Sequence, residues 1–187
     1  IASGAVIERI KFSTWLVFTA IWTIVVYAPI THMVWGGDGA LLFDAGALDF
    51  AGGTVVHMNG GLAGLVLAVL VGKRKGHMKV AMKPMSVMLT ALGGALLWFG
   101  WFGFNGGSAF GASSVAGLAY LTTALAPAVA AITWVVIEYM VYKKATLLGG
   151  VSGLVSGLVA ITPAAGFVDV SGAFIIGIIG SVIGFFG

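Results

Sequence analysis

The chain has 187 residues, 60% of them hydrophobic and only 8% charged, with 30 glycines and a mean hydropathy of +1.12. That composition excludes a soluble domain of this length and describes a polytopic helical membrane protein. The formal charge of +3 says little by itself, and the lack of cysteine excludes disulfides and thiolate metal sites without fixing a redox compartment.

Residues 1–10 read as the foot of a preceding helix, ending in the charged turn Glu8-Arg9-Ile10-Lys11. A first complete span is expected over about 12–35, with a kink at Pro29 near its far end. Residues 36–48 form a glycine-rich acidic loop, and a second span over about 49–72 returns the chain to its original side. The loop 73–84 carries five basic residues, and Pro84 starts or precedes a third span ending near Phe104. Gly106 to Ser114 read as a Gly/Ser-rich turn. A fourth span over about 115–142 contains Pro127, and a fifth covers about 146–162. A turn over 162–172 leads to a sixth span beginning near Gly172. The spans lack the strict alternation of an outer-membrane barrel. Position 1 is Ile rather than Met and the last residues lie inside an apolar run, which marks a piece of a longer protein. Residues 1–187 are read as a single transmembrane domain.

Charge placement supports this topology. All nine Lys and Arg residues fall in alternate turns on one side, whereas the opposite turns hold only Asp38, Asp44, Asp49 and Asp169. The positive-inside rule makes the basic loops cytoplasmic.

The second span contains a single ionisable interior residue, His57. With Asp49 as the first residue of the helix, His57 lies about eight residues in, ~12 Å down the axis and near the membrane midplane. At that depth a histidine marks a proton or substrate path. The plainer reading is a structural histidine bonded to a backbone carbonyl, to Asn59 or to a neighbouring helix. Asp49 suits a helix N-cap better than direct substrate contact. Gly60, Gly61 and Gly64 are spaced for close packing of helix backbones. In the third span, Trp101, Phe104 and Ser108 stand at i, i+3 and i+7 and share one face if the helix persists to Ser108. That face is either an interfacial aromatic cluster or the wall of a vestibule with one hydroxyl acceptor. Trp35, ending the first span, is a belt residue or a cation-attracting face worth ~0.5–2 kcal/mol. His32 and His77 read as solvated, and Glu138 carries no transport role. Enzyme motifs are absent: there is no G-x-S-x-G, no H-E-x-x-H, no phosphate-binding G-x-x-x-x-G-K-[ST] and no metal-ligand spacing. The chain is therefore not read as an enzyme, and no cofactor, metal or nucleic-acid partner is expected. The basic loop could serve anionic lipid or an acidic protein, although topology alone accounts for its charge.

Several segments, in order over essentially the whole chain, resemble the ammonium transporter family (Amt/Mep/Rh), most closely its prokaryotic Amt branch. They are IERIKF (7–12), YAPITHMVWGG (27–37), GALDFAGG (46–53) with His57 and the closing Gly72-Lys73-Arg74, WFGWFGFNGGSA (98–109), and SGLVSGLVAITPAAGFV (152–168). The resemblance implies an eleven-helix inverted-repeat bundle of which this chain covers the end of helix 3 through most of helix 9. It implies that Trp35 and Ser108 form an outer ammonium-recruitment site and that Phe104, beside Trp101, is one of two phenylalanines gating the mouth. His57 would be the first of two pore histidines, and Asp49 the acid supporting the site from below. The second gate phenylalanine and second histidine would belong to segments outside this chain. It further implies ammonium or ammonia as substrate, methylammonium as an analogue, a homotrimer in the lipid of the plasma membrane, and a cytoplasmic PII-type regulator. A non-transporting ammonium sensor and a passive Rh-type gas channel are the alternatives.

Overall fold

The computed structural model describes residues 1–81 and 83–187, and among them there are helices and turns but no strand. Residue 82, within the expected basic loop, lies outside the described residues. The chain divides into two compact units, Ile1–Lys83 and Pro84–Gly187.

In the first unit a short 3-10 turn, Ala2–Ala5, precedes helix α1, Phe12–Trp35. Residues Thr23–Tyr27 of α1 form a π-helical turn, in which the Ala28 N–H reaches back to the Thr23 carbonyl. Pro29 accounts for it: proline has no N–H, and its ring collides with the carbonyl four residues back, so the helix widens just ahead of it. The disturbance expected at Pro29 thus lies on its N-terminal side. A four-residue helix α2, Leu41–Asp44, interrupts the acidic loop. Helix α3, Gly53–Val71, opens with a second π-helical stretch, Gly53–Met58. It packs along the Ala2–Ala5 turn, where a Cβ at Gly60 would stand 3.2 Å from Ile1 Cβ and one at Gly64 3.4 Å from Ala5 Cβ. Gly61 faces open space, so only two of the three glycines serve close packing.

The second unit contains α4 (Val87–Gly107), α5 (Ser114–Tyr142), α6 (Leu147–Ile161) and α7 (Val170–Phe186). Each starts behind a side chain that accepts an orphan backbone N–H. Ser86 takes Leu89 N–H at 3.2 Å, Ser113 takes Ala116 at 3.3 Å, Thr146 takes Gly149 at 2.9 Å and Asp169 takes Gly172 at 2.8 Å. The Asp169 cap explains why α7 begins at Val170, slightly earlier than expected from the sequence. α6 ends at Ile161 with Thr162 as its C-cap, still at helical angles (φ −52°, ψ −46°), and Pro163 follows it, as proline commonly does just past a helix end. α5 is the hub, packed on α6 and α7, with α4 against α5 and α6. Small residues make this possible: a Cβ at Gly157 would stand 2.6 Å from Ala130 Cβ and 2.7 Å from Pro127 Cα, so the backbones touch.

Of the six expected spans, four helices (α1, α3, α4 and α5) are long and apolar enough to cross a membrane. α6 and α7 are apolar but shorter, at 15 and 17 residues.

Candidate functional site

Asp49 organises the turn between α1 and α3 in the first unit. It stands four residues before α3, and its carboxylate accepts four consecutive backbone N–H groups. Gly52 (2.8 Å) and Gly53 (2.5 Å) bind one oxygen, and Thr54 (2.8 Å) and Val55 (3.1 Å) bind the other. These are the N–H groups that a helix start leaves without intrahelical partners, and they are the positive end of its dipole. Gly52 lets the chain curl back onto the acid. Its φ of 117° is open to glycine alone in practice, and a Cβ there would meet Val56 Cγ2 at 2.5 Å. Asp49 is thus a cap acting from outside the helix, not its first residue. The distance to His57 shrinks accordingly, to four residues from Gly53, or ~6 Å at the usual rise. His57 belongs to the N-terminal turns of α3, short of the middle of that helix.

Two further bonds build on this cap. The Trp35 indole N–H donates to the backbone carbonyl of Asp49 at 2.7 Å, which fixes the end of α1 to the start of α3. The Gly52 carbonyl accepts from both Val56 (2.8 Å) and His57 (2.9 Å), setting the π-helical register that carries the His57 side chain. His57 is buried, as is Asn59, whose amide donates to the Val55 carbonyl at 3.2 Å. Trp35 stays 42% exposed and borders a recess of about 400 Å³ that also takes in Tyr27, Thr31 and His32.

The second unit holds the other three predicted residues. α4 ends at Gly107, so Ser108 is its C-cap rather than a helical residue. Its hydroxyl donates to the Phe104 carbonyl at 2.9 Å. With its proton committed there, the Ser108 oxygen has lone pairs left to accept a hydrogen bond. Trp101 and Phe104 meet edge to face, centroids 5.6 Å apart at 85°. The Trp101 indole donates to Thr162 Oγ at 2.8 Å, and Thr162 donates to the Leu158 carbonyl at 2.7 Å. Next to Phe104, Asn105 is fully buried and its amide donates to Thr123 Oγ at 2.9 Å. The Trp98 indole donates to the Thr123 carbonyl at 3.1 Å. That carbonyl is the one Pro127 leaves without its usual N–H partner four residues on.

The structure therefore gathers Trp35, Asp49 and His57 in one unit and Trp101, Phe104 and Ser108 in the other. Sequence reasoning gave no role to Gly52, Asn105 or Thr123, and none in particular to Thr162. Gly52 carried a signal in the Gly-Gly pair after Asp49; the partners of Trp98 and Trp101 are far apart in sequence and carried none. Among the described residues no cluster of His, Cys, Asp and Glu is arranged to hold a metal ion.

The sequence model of the Ammonium Transporter Family matches residues 1–187. The chain is 51% identical to an ammonium transporter of Bacillus subtilis over its whole length, which is 45% of that protein. Its fold matches the crystal structure of Saccharomyces cerevisiae Mep2 with a TM-score of 0.90 and 41% identity, over 97% of this chain and 42% of Mep2. A sensor Amt protein matches with a TM-score of 0.88 and 33% identity, over 96% of this chain and 47% of that one. The chain spans about half the length of these relatives, and it belongs to the ammonium transporter family.

Proposed function

We propose that this chain supplies part of the wall and mouth of a pathway that carries ammonium or ammonia across the plasma membrane, with its basic loops in the cytoplasm. Bare ammonium cannot enter an apolar pore cheaply, because an unpaired charge there costs several kcal/mol or more. On this proposal the cation is first held at Trp35, through cation–π attraction, and at Ser108, through a hydroxyl oxygen. It gives up its proton near the Phe104 and Trp101 gate, with Asp49 holding the local field. Neutral ammonia then passes His57, a hydrogen-bond partner and one half of a proton relay. Potassium is refused because it has no proton to lose. Both units act as one transmembrane domain within a homotrimer in lipid, open to control by a cytoplasmic PII-type protein.

The observation that carries this reading is the Asp49 cap. One residue holds the Trp35 indole with its carbonyl and the first turn of α3 with its carboxylate, so a cation-attracting face is tied directly to the helix bearing His57. The test is ammonium-evoked current in proteoliposomes of the full-length protein and of its His57→Ala and Trp35→Leu variants. The expected result is a saturable current, altered or lost in the first variant and half-saturating at higher ammonium in the second. Currents identical to the parent's would remove both residues from the pathway.

A sensor is the second reading, favoured by the 33% identity to a sensor Amt protein. Ammonium binding without current or internal alkalinisation would establish it; alkalinisation without current would indicate passive conduction of neutral gas.

A further inference from the structure

We propose that the basic end of the first unit binds the phosphate-bearing headgroup of an anionic membrane lipid. Two recesses of about 640 and 890 Å³ open there, sharing Arg9, Lys73 and Arg74 in their walls. Lys11, Lys75 and Lys83 complete the basic lining of the larger one, against a single acid, Glu8. That acid is already engaged, at 3.2 Å from Arg74, in the one ion pair among the described residues.

Topology accounts for basic residues on this side, but not for how they are held. Arg9 is half-buried and donates to the carbonyls of Gly72 and Ala5. Both partners are neutral, so they fix the guanidinium without cancelling its charge. Gly72 presents its carbonyl at a φ of 77°, where the chain leaves α3. The result is a preorganised cation at the floor of a cavity, ringed by lysines that carry no ion pair among the described residues. Preorganised donors lose less freedom on binding an anion than surface lysines do.

The apolar part of the lining identifies the source of the anion. The smaller recess is also walled by Ala68 and Val69 at the end of α3, and the larger by Val71, Val80 and Ala81. Val69 is 72% exposed. A free anion has no use for this surface, whereas a lipid brings a glycerol and acyl chains to cover the end of the span while its phosphate meets the basic side chains. An acidic soluble protein would gain from the charges but not from Val69 and the other apolar residues of the lining.

The experiment is calorimetric titration of the full-length protein, in an uncharged detergent, with dioctanoyl phosphatidylglycerol, dioctanoyl phosphatidylcholine and inorganic phosphate. Lys73→Gln/Lys75→Gln/Lys83→Gln is the variant, because these side chains are exposed and make no ion pair among the described residues, and an unchanged unfolding temperature verifies that the fold does not need them. Saturable binding of the anionic lipid is expected, at least tenfold tighter than either comparison ligand. The triple variant should weaken it about 100-fold at low salt, from roughly fivefold per near-surface charge. Equal binding of the choline lipid would make the surface merely apolar, and equal binding of phosphate would make it a free-anion site. An unaffected triple variant would move the lipid elsewhere. Saturable binding of a polyglutamate peptide with none of the lipid would assign the surface to an acidic protein. Each of these four outcomes overturns the proposal. The readout is binding rather than flux, so it stands or falls independently of the transport reading.

Discussion

The two units keep their order by different means. In the second, helices touch along their backbones: Gly157 leaves no room for a methyl group against Ala130 and Pro127, and a Cβ at Gly177 would stand 2.5 Å from the Ala126 carbonyl. In the first, the C-terminal end of α1 is joined to the start of α3 through Trp35 and the loop residue Asp49. The contrast follows from the solvent. Lipid gives apolar helices no hydrophobic reason to associate, so they hold together by close van der Waals packing or by polar bonds that hydrocarbon cannot replace. The second unit combines both routes, adding the bonds of Trp98, Trp101 and Asn105 to its packed glycines. In the first unit Gly60 and Gly64 pack at the Ala2–Ala5 turn, and α1 is tied to the α3 cap by the Trp35 bond. The residues proposed to handle the cation and its proton, Trp35 and His57, lie where polar bonds rather than packing set the geometry.

If that contrast holds, the largest effect belongs to Asp49. Asp49→Ala leaves four N–H groups without their acceptor and should cost about 3–5 kcal/mol, read from denaturant unfolding of the full-length protein in detergent. Asp49→Asn keeps one acceptor oxygen and should fall in between. If Asn matches the parent, the carboxylate is not what orders this end of the molecule. Gly157→Ala is next and tests the packed unit. With backbone and a helical Cβ as its neighbours, the new methyl has nothing to push aside, and a cost of about 1–3 kcal/mol is expected. Gly61→Ala, with nothing within 4 Å, should instead stabilise by up to about 1 kcal/mol through helix propensity. Similar effects at both glycines would erase the distinction between packed and open faces.

How much of this was legible in the sequence depends on range. The six expected spans and their order came through because apolar runs are local, whereas α2 inside the acidic loop, the start of α3 at Gly53 and the end of α4 at Gly107 did not. The family resemblance was equally legible, carried by contiguous motifs such as those around Asp49 and Trp101. The place of His57 along its helix was misjudged for a definite reason. Capping was expected from within the helix, whereas Asp49 caps from four residues outside it by way of Gly52, and nothing in apolar periodicity distinguishes the two. The widened turns at Thr23–Tyr27 and Gly53–Met58 escaped for the same reason, since a π-turn alters hydrogen-bond register without altering composition. The bonds from Trp98 to Thr123 and from Trp101 to Thr162 span 25 and 61 residues, and only the packing of α4 against α5 and α6 brings them together.

Those indole bonds sharpen the comparison at smaller scale, because each unit has one that ends on a backbone carbonyl. Trp98→Phe deprives the Thr123 carbonyl of its partner opposite Pro127, inside a packed unit, and should cost about 1–2 kcal/mol. Trp35→Phe deprives the Asp49 carbonyl, on a residue that is itself buried, and should cost a similar amount, about 1–2 kcal/mol. Unfolding midpoints of the two variants side by side decide the matter. A larger loss at Trp35 would place more of the molecule's stability at the Asp49 cap than its packing suggests.

The smallest effect concerns Asp169, the one cap of the second unit that carries charge. The Gly172 N–H, and then the Ser171 hydroxyl at 2.7 Å, hold its carboxyl below the usual carboxylate value. A carboxylate whose pKa is lower in the folded state adds stability above its unfolded pKa, and that stability disappears as pH falls through the folded value. Asn is also a good N-cap, so Asp169→Asn removes the charge and leaves an acceptor oxygen in place. The variant should therefore be slightly less stable than its parent near neutral pH, and the gap should close in acid, below the ordinary carboxylate range. Thermal midpoints of both proteins across that range measure it. A gap of constant size would mean that Asp169 works through its hydrogen-bond geometry alone, as the neutral caps Ser86, Ser113 and Thr146 do at the other three helices of the unit.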